Sequence, residues 1–313
     1  MRLEIRPVDY DHDLPELAAM LDRVMTAGMS VSRLREGQNN PAPINRNMVA
    51  TDDIGAIVGW YMLIRGENEP SNRAFTSLIV HPEHRGDRIG TALFDDLTAF
   101  CKTVGVSNLK ARVKDSEPEW LAWAESKGFT IDRHSFRSSI TLADFDVSPF
   151  ENAISELKSE GIVFTTLAEL GDTETNRRLY YEADCKAAID VPGEDSVETW
   201  EEYYAENFGS EDYRAEGAFI AMDGELMIGV AHVWLDKEHD RMGNAFTGVI
   251  PEFRGRGIAT ALKVLTILHA KEVGVSEILT ENDSENGPML AVNGKLGYKR
   301  WPGAYMLKAT IAK

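Results

Sequence analysis

Val249-Ile-Pro-Glu-Phe-Arg-Gly-Arg-Gly-Ile-Ala-Thr-Ala-Leu262 is the stretch that decides how the chain is read. An apolar strand end runs into a glycine-broken turn and then into the first turns of an amphipathic helix. Such a turn leaves backbone N–H groups unpaired at a helix N-terminus, where they can hold phosphate oxygens. Gly255, Gly257 and Ala259 carry no bulk to keep a phosphate off the backbone, and Arg254 and Arg256 bring positive charge. A Walker A loop needs Gly-Lys-Ser/Thr directly before its helix, and Lys263 comes too late. A Rossmann fingerprint belongs to the first strand of a parallel unit, whereas several strand-like segments precede this turn. The third alternative is a plain turn without a ligand.

The stretch occurs twice. At an offset of 169, residues 80–107 align with 249–276 without a gap, and 14 of the 28 positions are identical. The identities include Pro82/Pro251, Arg85/Arg254, Gly86/Gly255 and Thr91-Ala-Leu93/Thr260-Ala-Leu262. The same offset lands Gly128-Phe129 on Gly297-Tyr298. A spacing this long marks a duplicated domain rather than a solenoid. The expected division is an N-terminal domain over 1–145, a linker over 146–160 and a C-terminal domain over 161–313.

Each half reads as mixed α/β, with a largely antiparallel meander leading into a strand–loop–helix–strand unit. In the second half, Gly217 to Met222 and Leu226 to Leu235 flank an Asp223-Gly224 hairpin turn. Ile258 to Val273 is helical, Glu277 to Glu281 a strand and Met289 to Leu296 a helix. In the first half, Phe129 to Leu142 leaves room for two closing strands, and residues 26–45 read as a loop with a short helix.

Val249-x-Pro-x-x-Arg-Gly-x-Gly-Ile-Ala resembles the R/Q-x-x-G-x-G/A acetyl-CoA signature of the GNAT N-acetyltransferases. Asn286-x-x-Met-Leu-x-x-Asn-x-x-Leu-Gly-Tyr298 resembles that family's following helix and its Gly-Phe/Tyr end. In layout the chain is similar to tandem GNAT proteins such as mycothiol synthase. The resemblance implies two tandem GNAT-type domains, each a mixed, mostly antiparallel sheet flanked by helices. It implies an acetyl-CoA-dependent N-acetyltransferase, with acetyl-CoA as co-substrate, no metal, and catalysis in the C-terminal domain by direct attack of a small-molecule amine. Carried over by position, Gly255, Arg256, Gly257, Ile258, Ala259 and Thr260 hold the CoA pyrophosphate, beside Arg254. Thr247, Gly248 and Val249 line the pantetheine arm along an edge that a splay between strands leaves open. The N–H near Val249 polarises the thioester carbonyl. Asn286 touches the CoA chain, caps a helix, or does both.

The position where many relatives carry a tyrosine acid holds Asn293, and Tyr298 stands nearby as acid or as packing. His232 is a candidate base, or a core histidine on its strand. Asp236, Glu238, His239 and Asp240 follow it in a loop. Asp190, Glu194 and Asp195 lie where the superfamily builds its acceptor pocket, and either bind a cationic amine or cap a helix. In the first copy, Arg88 replaces Gly257 and Asp87 replaces Arg256, while Glu117 and Ala124 replace Asn286 and Asn293. Each change moves away from catalysis, so that domain reads as degenerate.

Composition is that of an ordinary globular protein, 43% apolar and 27% charged. The net charge of −18 argues against nucleic acid or an anionic membrane as a general partner. No apolar run is long enough to span a membrane, and the charged N-terminus is unlike a signal peptide, so a cytoplasmic protein, monomeric or homodimeric, is expected. Two cysteines give neither a disulfide framework nor a metal-ligand spacing. Two other function classes remain beside the small-amine acetyltransferase: a non-catalytic acyl-CoA-binding or regulatory module, and a mycothiol synthase-like enzyme.

Overall fold

The computed structural model describes residues 2–25, 29–39, 41–67, 69–191, 198–210 and 213–311. The chain divides into two compact units, Met1–Asp132 with Tyr305–Lys313, and Arg133–Ala304.

The first unit opens with β1 (Glu4–Pro7), α1 (Leu14–Asp22), α2 (Val31–Gln38), β2 (Ile44–Thr51), β3 (Ile57–Arg65) and β4 (Arg73–Val80). It continues with α3 (Ile89–Val104), β5 (Asn108–Lys114) and α4 (Pro118–Ser126). Its strands lie in the order β1-β2-β3-β4-β5, antiparallel up to β4 and parallel between β4 and β5. Helix α3 buries Ile89, Leu93, Leu97 and Cys101, one stripe at helical spacing. It stops at Gly105, which takes the left-handed conformation that ends a helix without a Cβ penalty. Leu307 and Ala309, near the end of the chain, join this unit's core beside Tyr61 and Leu109.

Strand β6 (Thr130–Thr141) passes into the second unit, followed by α5 (Ser148–Ser159), β7 (Ile162–Thr166), α6 (Leu167–Leu170), α7 (Glu174–Ala188) and α8 (Trp200–Tyr203). Then come β8 (Ala218–Asp223), β9 (Leu226–Asp236), β10 (Arg241–Val249), α9 (Ile258–Val273), β11 (Glu277–Asp283), α10 (Gly287–Leu296) and β12 (Lys299–Thr310). The strand order is β6-β11-β10-β9-β8-β7, with only β10 and β11 parallel. Residues 129–142, expected to hold two strands, contain the single strand β6, whose residues Ser135 to Thr141 pair with β11 from Asp283 to Glu277. Helix α8 ends at Tyr203 and widens into a π turn over Tyr204–Phe208.

The repeat is structural. Helices α3 and α9, strands β5 and β11, and strands β6 and β12 begin and end at positions related by the same offset of 169. One feature of the second unit's sheet positions its site. Strands β10 and β11 pair only between Arg241–Asn244 and Glu277–Thr280. A bulge between Asn244 and Phe246 then re-aims β10, and Thr247 to Val249 pair with β9 on one side alone.

Candidate functional site

The turn after β10 has the backbone that the glycines imply. Gly255 (φ 77°) and Gly257 (φ 89°) are both left-handed, which side chains rarely adopt. A Cβ at either glycine would meet no atom within 4 Å, so torsion, not crowding, calls for glycine there. Helix α9 starts at Ile258 without a side-chain cap. Its first intrahelical donor in this turn is Ala261, to Gly257 O at 3.0 Å; among the described residues no backbone carbonyl accepts from residues 255–260. These N–H groups stand at the positive end of a sixteen-residue helix, an arrangement that can hold an anion.

The open edge leads into this turn. The Ile250 N–H donates to Ile228 O at 3.0 Å. Since N–H groups alternate sides along an antiparallel strand, the Val249 N–H points away from β9 to the unpaired edge. Arg254 braces this geometry rather than pointing its charge into the turn. Its Nε donates to Val249 O (3.0 Å), Nη2 to Ala187 O (3.1 Å) at the end of α7, and Nη1 to Asp190 (2.6 Å). A Cβ on Gly248 would stand 2.6 Å from Phe246 and 2.7 Å from Ala187, so glycine lets β10 lie against α7. Arg256 is paired with Glu160 at 2.7 Å.

The other candidate residues fall in several places. His232 sits on β9 opposite Phe246, and burial lowers its imidazole to about 4, which keeps it neutral. Asp236 holds Arg241 at 2.9 Å and His239 at 3.0 Å, and the His239 bond leads in drawing its carboxyl below the ordinary range. This loop, with Glu238 and Asp240, lies at the far end of β10, about 27 Å of strand from Val249 at 3.4 Å per residue. Asp190 is engaged by Arg254, and Glu194 and Asp195 lie outside the described residues. Asn286 is the N-cap of α10, its side-chain oxygen accepting from the Met289 N–H at 3.2 Å.

The glycine turn did not point to a buried polar cluster where β10 and β11 part. Lys263, one turn into α9, is 1% exposed. Its Nζ donates to Asn244 Oδ1 at 3.2 Å and lies 5.0 Å from the centre of the Tyr298 ring. Thr247 also donates to Asn244 Oδ1, at 3.0 Å. Asn293 donates to Asn282 Oδ1 at 2.6 Å, and Thr280 to Asn244 O at 3.2 Å. Within this cluster three buried polar atoms have no hydrogen-bond partner among the described residues: Asn244 Nδ2, Asn293 Oδ1 and the Tyr298 hydroxyl. Burial alone pushes the Tyr298 hydroxyl up, so it stays protonated.

The repeat itself carried the signal for this cluster. At the offset of 169, Lys263 corresponds to Phe94, Asn244 to Phe75 and Thr247 to Leu78. Thr280, Asn282, Asn293 and Tyr298 correspond to Ala111, Val113, Ala124 and Phe129. Where Lys263 meets Tyr298, the first unit packs Phe94 against Phe129, ring centres 6.1 Å apart.

The first unit keeps the backbone and changes the chemistry. Gly86 (φ 95°) and Arg88 (φ 62°) repeat the left-handed pair, and β4 pairs with β5 only through Phe75. Holding Arg88 there costs about 1–2 kcal/mol relative to glycine. Asp87 lies in the loop, its N–H donating to His84 O at 3.4 Å.

The model of the acetyltransferase (GNAT) family matches residues 18–129 and 185–298, once in each half. The mycothiol acetyltransferase of Nocardiopsis dassonvillei is 24% identical over 94% of this chain and 92% of its own length. That of Actinosynnema mirum is 30% identical over a shorter match, 28% of this chain and 30% of that protein. Among solved structures, a tandem GNAT protein from the clavulanic acid biosynthesis pathway, solved without AcCoA, aligns with a TM-score of 0.63. It is 20% identical and the alignment covers 100% of this chain and 99% of that one, a likeness of fold.

Proposed function

The chain belongs to the GNAT acetyltransferase family as a tandem N-acetyltransferase, and from that premise we propose that its second unit transfers an acetyl group from acetyl-CoA to the primary amine of a small molecule. The observation that carries the reading is the unpaired edge of Thr247–Val249 running directly into the donor-lined turn 255–260. An extended pantetheine arm adds to such an edge as a strand would, while the turn N–H groups take the pyrophosphate. The Val249 N–H is then available to the thioester carbonyl, where charge develops as the amine attacks. The amine nitrogen bonds to the acyl carbon, the C–S bond breaks with its electron pair going to sulfur, and the new amide nitrogen gives up its extra proton.

The same chemistry supports placing catalysis in the second unit. In the first, Arg88 and Asp87 occupy the turn, and the polar cluster is replaced by apolar side chains. Arg254 holds Asp190 in the structure as it stands, so a cationic amine would have to compete with that pair.

Calorimetry with acetyl-CoA, combined with CoA-thiol release over a panel of primary amines, tests the proposal. The panel includes the free-amine form of mycothiol, since relatives bearing that name align along nearly the whole chain. Binding with turnover on at least one amine is expected. Binding without turnover on any amine would instead favour an acyl-CoA-binding module, and absence of binding would remove both readings.

A further inference from the structure

We propose that Lys263 is the general acid of this transfer, protonating the CoA sulfur as the C–S bond breaks; the inference rests on the acetyl-transfer reading above. Four observations lead to it. The group lies where β10 and β11 separate, on the helix whose first turn forms the anion site. It is fully enclosed, with one side-chain acceptor, Asn244 Oδ1, and the face of Tyr298. Donors outnumber acceptors around it: the ammonium has three N–H bonds, and Asn244 Nδ2 and the Tyr298 hydroxyl lack partners, against one unpartnered acceptor, Asn293 Oδ1. Such groups are costly to bury unless something electron-rich completes them. Finally, the fold does not need them, because the first unit builds the same elements with Phe75, Phe94 and Phe129 at these positions.

A sulfur carrying a developing negative charge supplies what the cluster lacks. The attacking nitrogen forms the C–N bond, and the C–S electron pair leaves on sulfur and takes a proton from the Lys263 ammonium. CoA leaves as the thiol and Lys263 is left neutral. The new amide nitrogen loses its extra proton to water, and Lys263 regains a proton from solvent after product release. Asn293, at the position where many relatives carry a tyrosine acid, has no proton to give; Lys263 takes over that role from the neighbouring helix.

The surroundings suit a proton donor. Burial lowers Lys263 to about 7, below an ordinary thiol at about 8.5, so transfer to sulfur runs downhill. Tyr298 faces the group and remains protonated. On the packed elements, His232 of β9 is neutral, His269 of α9 is lowered by burial and lies against Phe219, and Asp283 of β11 is bonded to Arg133 at 2.9 Å. No carboxylate or cation contributes to the lysine's shift.

The test compares wild type with Lys263→Met, Lys263→Gln and Lys263→Arg, using acetyl-CoA and the best amine of the panel. Acetyl-CoA affinity should stay within about 3-fold in the Met and Gln variants while kcat falls by about 10²–10⁴-fold. In wild type, kcat should decline as pH rises through the lysine's pKa, and this limb should vanish in both variants. Lys263→Arg keeps the charge without a proton to release, and should be as slow as Lys263→Met. Full kcat with an unchanged pH profile in Lys263→Met would overturn the assignment, as would full activity in Lys263→Arg. If Met disturbs the fold, seen as a changed melting curve, Gln decides. Failure of the wild type to release CoA with any amine would overturn the transfer reading and this inference with it. Normal turnover in both wild type and variant would overturn this inference alone.

Discussion

Gly86 and Gly255 are equivalent positions in the two units, and replacing each by glutamate separates the cost to the fold from the cost to the site. Both glycines are left-handed, at φ 95° and 77°, and a Cβ at either would meet no atom within 4 Å. The fold cost is therefore torsional and about the same for each, on the order of 1–2 kcal/mol. For units of this size that lowers the melting temperature by about 2–8 °C. Only Gly255→Glu places a carboxylate among the N–H groups of residues 255–260. Loss of one or two charge-assisted bonds to pyrophosphate, at about 1.5–3 kcal/mol each, weakens acetyl-CoA by about 10-fold to more than 10³-fold. Thermal melts and calorimetry measure the two quantities on the same samples. Gly86→Glu should share the thermal shift and leave turnover within about 3-fold. Loss of turnover in Gly86→Glu with turnover intact in Gly255→Glu, or no effect of either, would rule out the second unit's turn as the pyrophosphate site.

Three further predictions follow from single contacts. Asn286→Ala should cost about 1 kcal/mol through loss of the α10 cap, whereas Asn286→Asp keeps the cap and the melting temperature; if the aspartate variant also keeps acetyl-CoA affinity, Asn286 is a cap alone. Arg254→Leu should weaken acetyl-CoA binding by about 10-fold, because the Val249 and Ala187 carbonyls lose their brace, while Asp190→Asn, which breaks only a largely exposed pair, should change it by less than about 3-fold in the same titration. His232 is held at about 4 against an ordinary 6.5, so the unfolded chain binds the extra proton first. Its contribution to stability is complete above pH 6.5 and is lost as pH falls towards 4, by at most about 3 kcal/mol; in denaturant titrations His232→Gln should flatten that part of the pH dependence.

The glycine turn was legible because backbone conformation restricts residue choice. Left-handed φ at 255 and 257 calls for glycine, and a gapless second copy made the pattern hard to mistake for chance. The open edge of β10 followed from the family resemblance and is seen in the pairing that ends at Asn244. The polar cluster was not legible because its meaning lies in differences between the copies rather than identities: Lys263 against Phe94 and Tyr298 against Phe129 sit inside an amphipathic pattern that tolerates either. A buried lysine looks like a surface lysine until the packing around it is known. The closing strands were illegible for another reason. Strands β6 and β12 have equal lengths and equivalent positions, and local pattern does not say that residues from Arg133 pack in the second unit while Leu307 and Ala309 enter the core of the first. The side chains that take up the amine left no comparable signature, since Asp190 is already bonded to Arg254 and the rest of its loop lies outside the described residues.

On the proposed reading, the second unit takes acetyl-CoA along the unpaired edge of β10 with its pyrophosphate on the turn after it. A structure determined with acetyl-CoA bound tests this most directly. Phosphate oxygens are expected on the N–H groups of residues 255–260, the pantetheine arm alongside Thr247–Val249, and the sulfur within reach of Lys263 Nζ. Pyrophosphate seated on residues 86–91 of the first unit, with the edge of β10 empty, would contradict it.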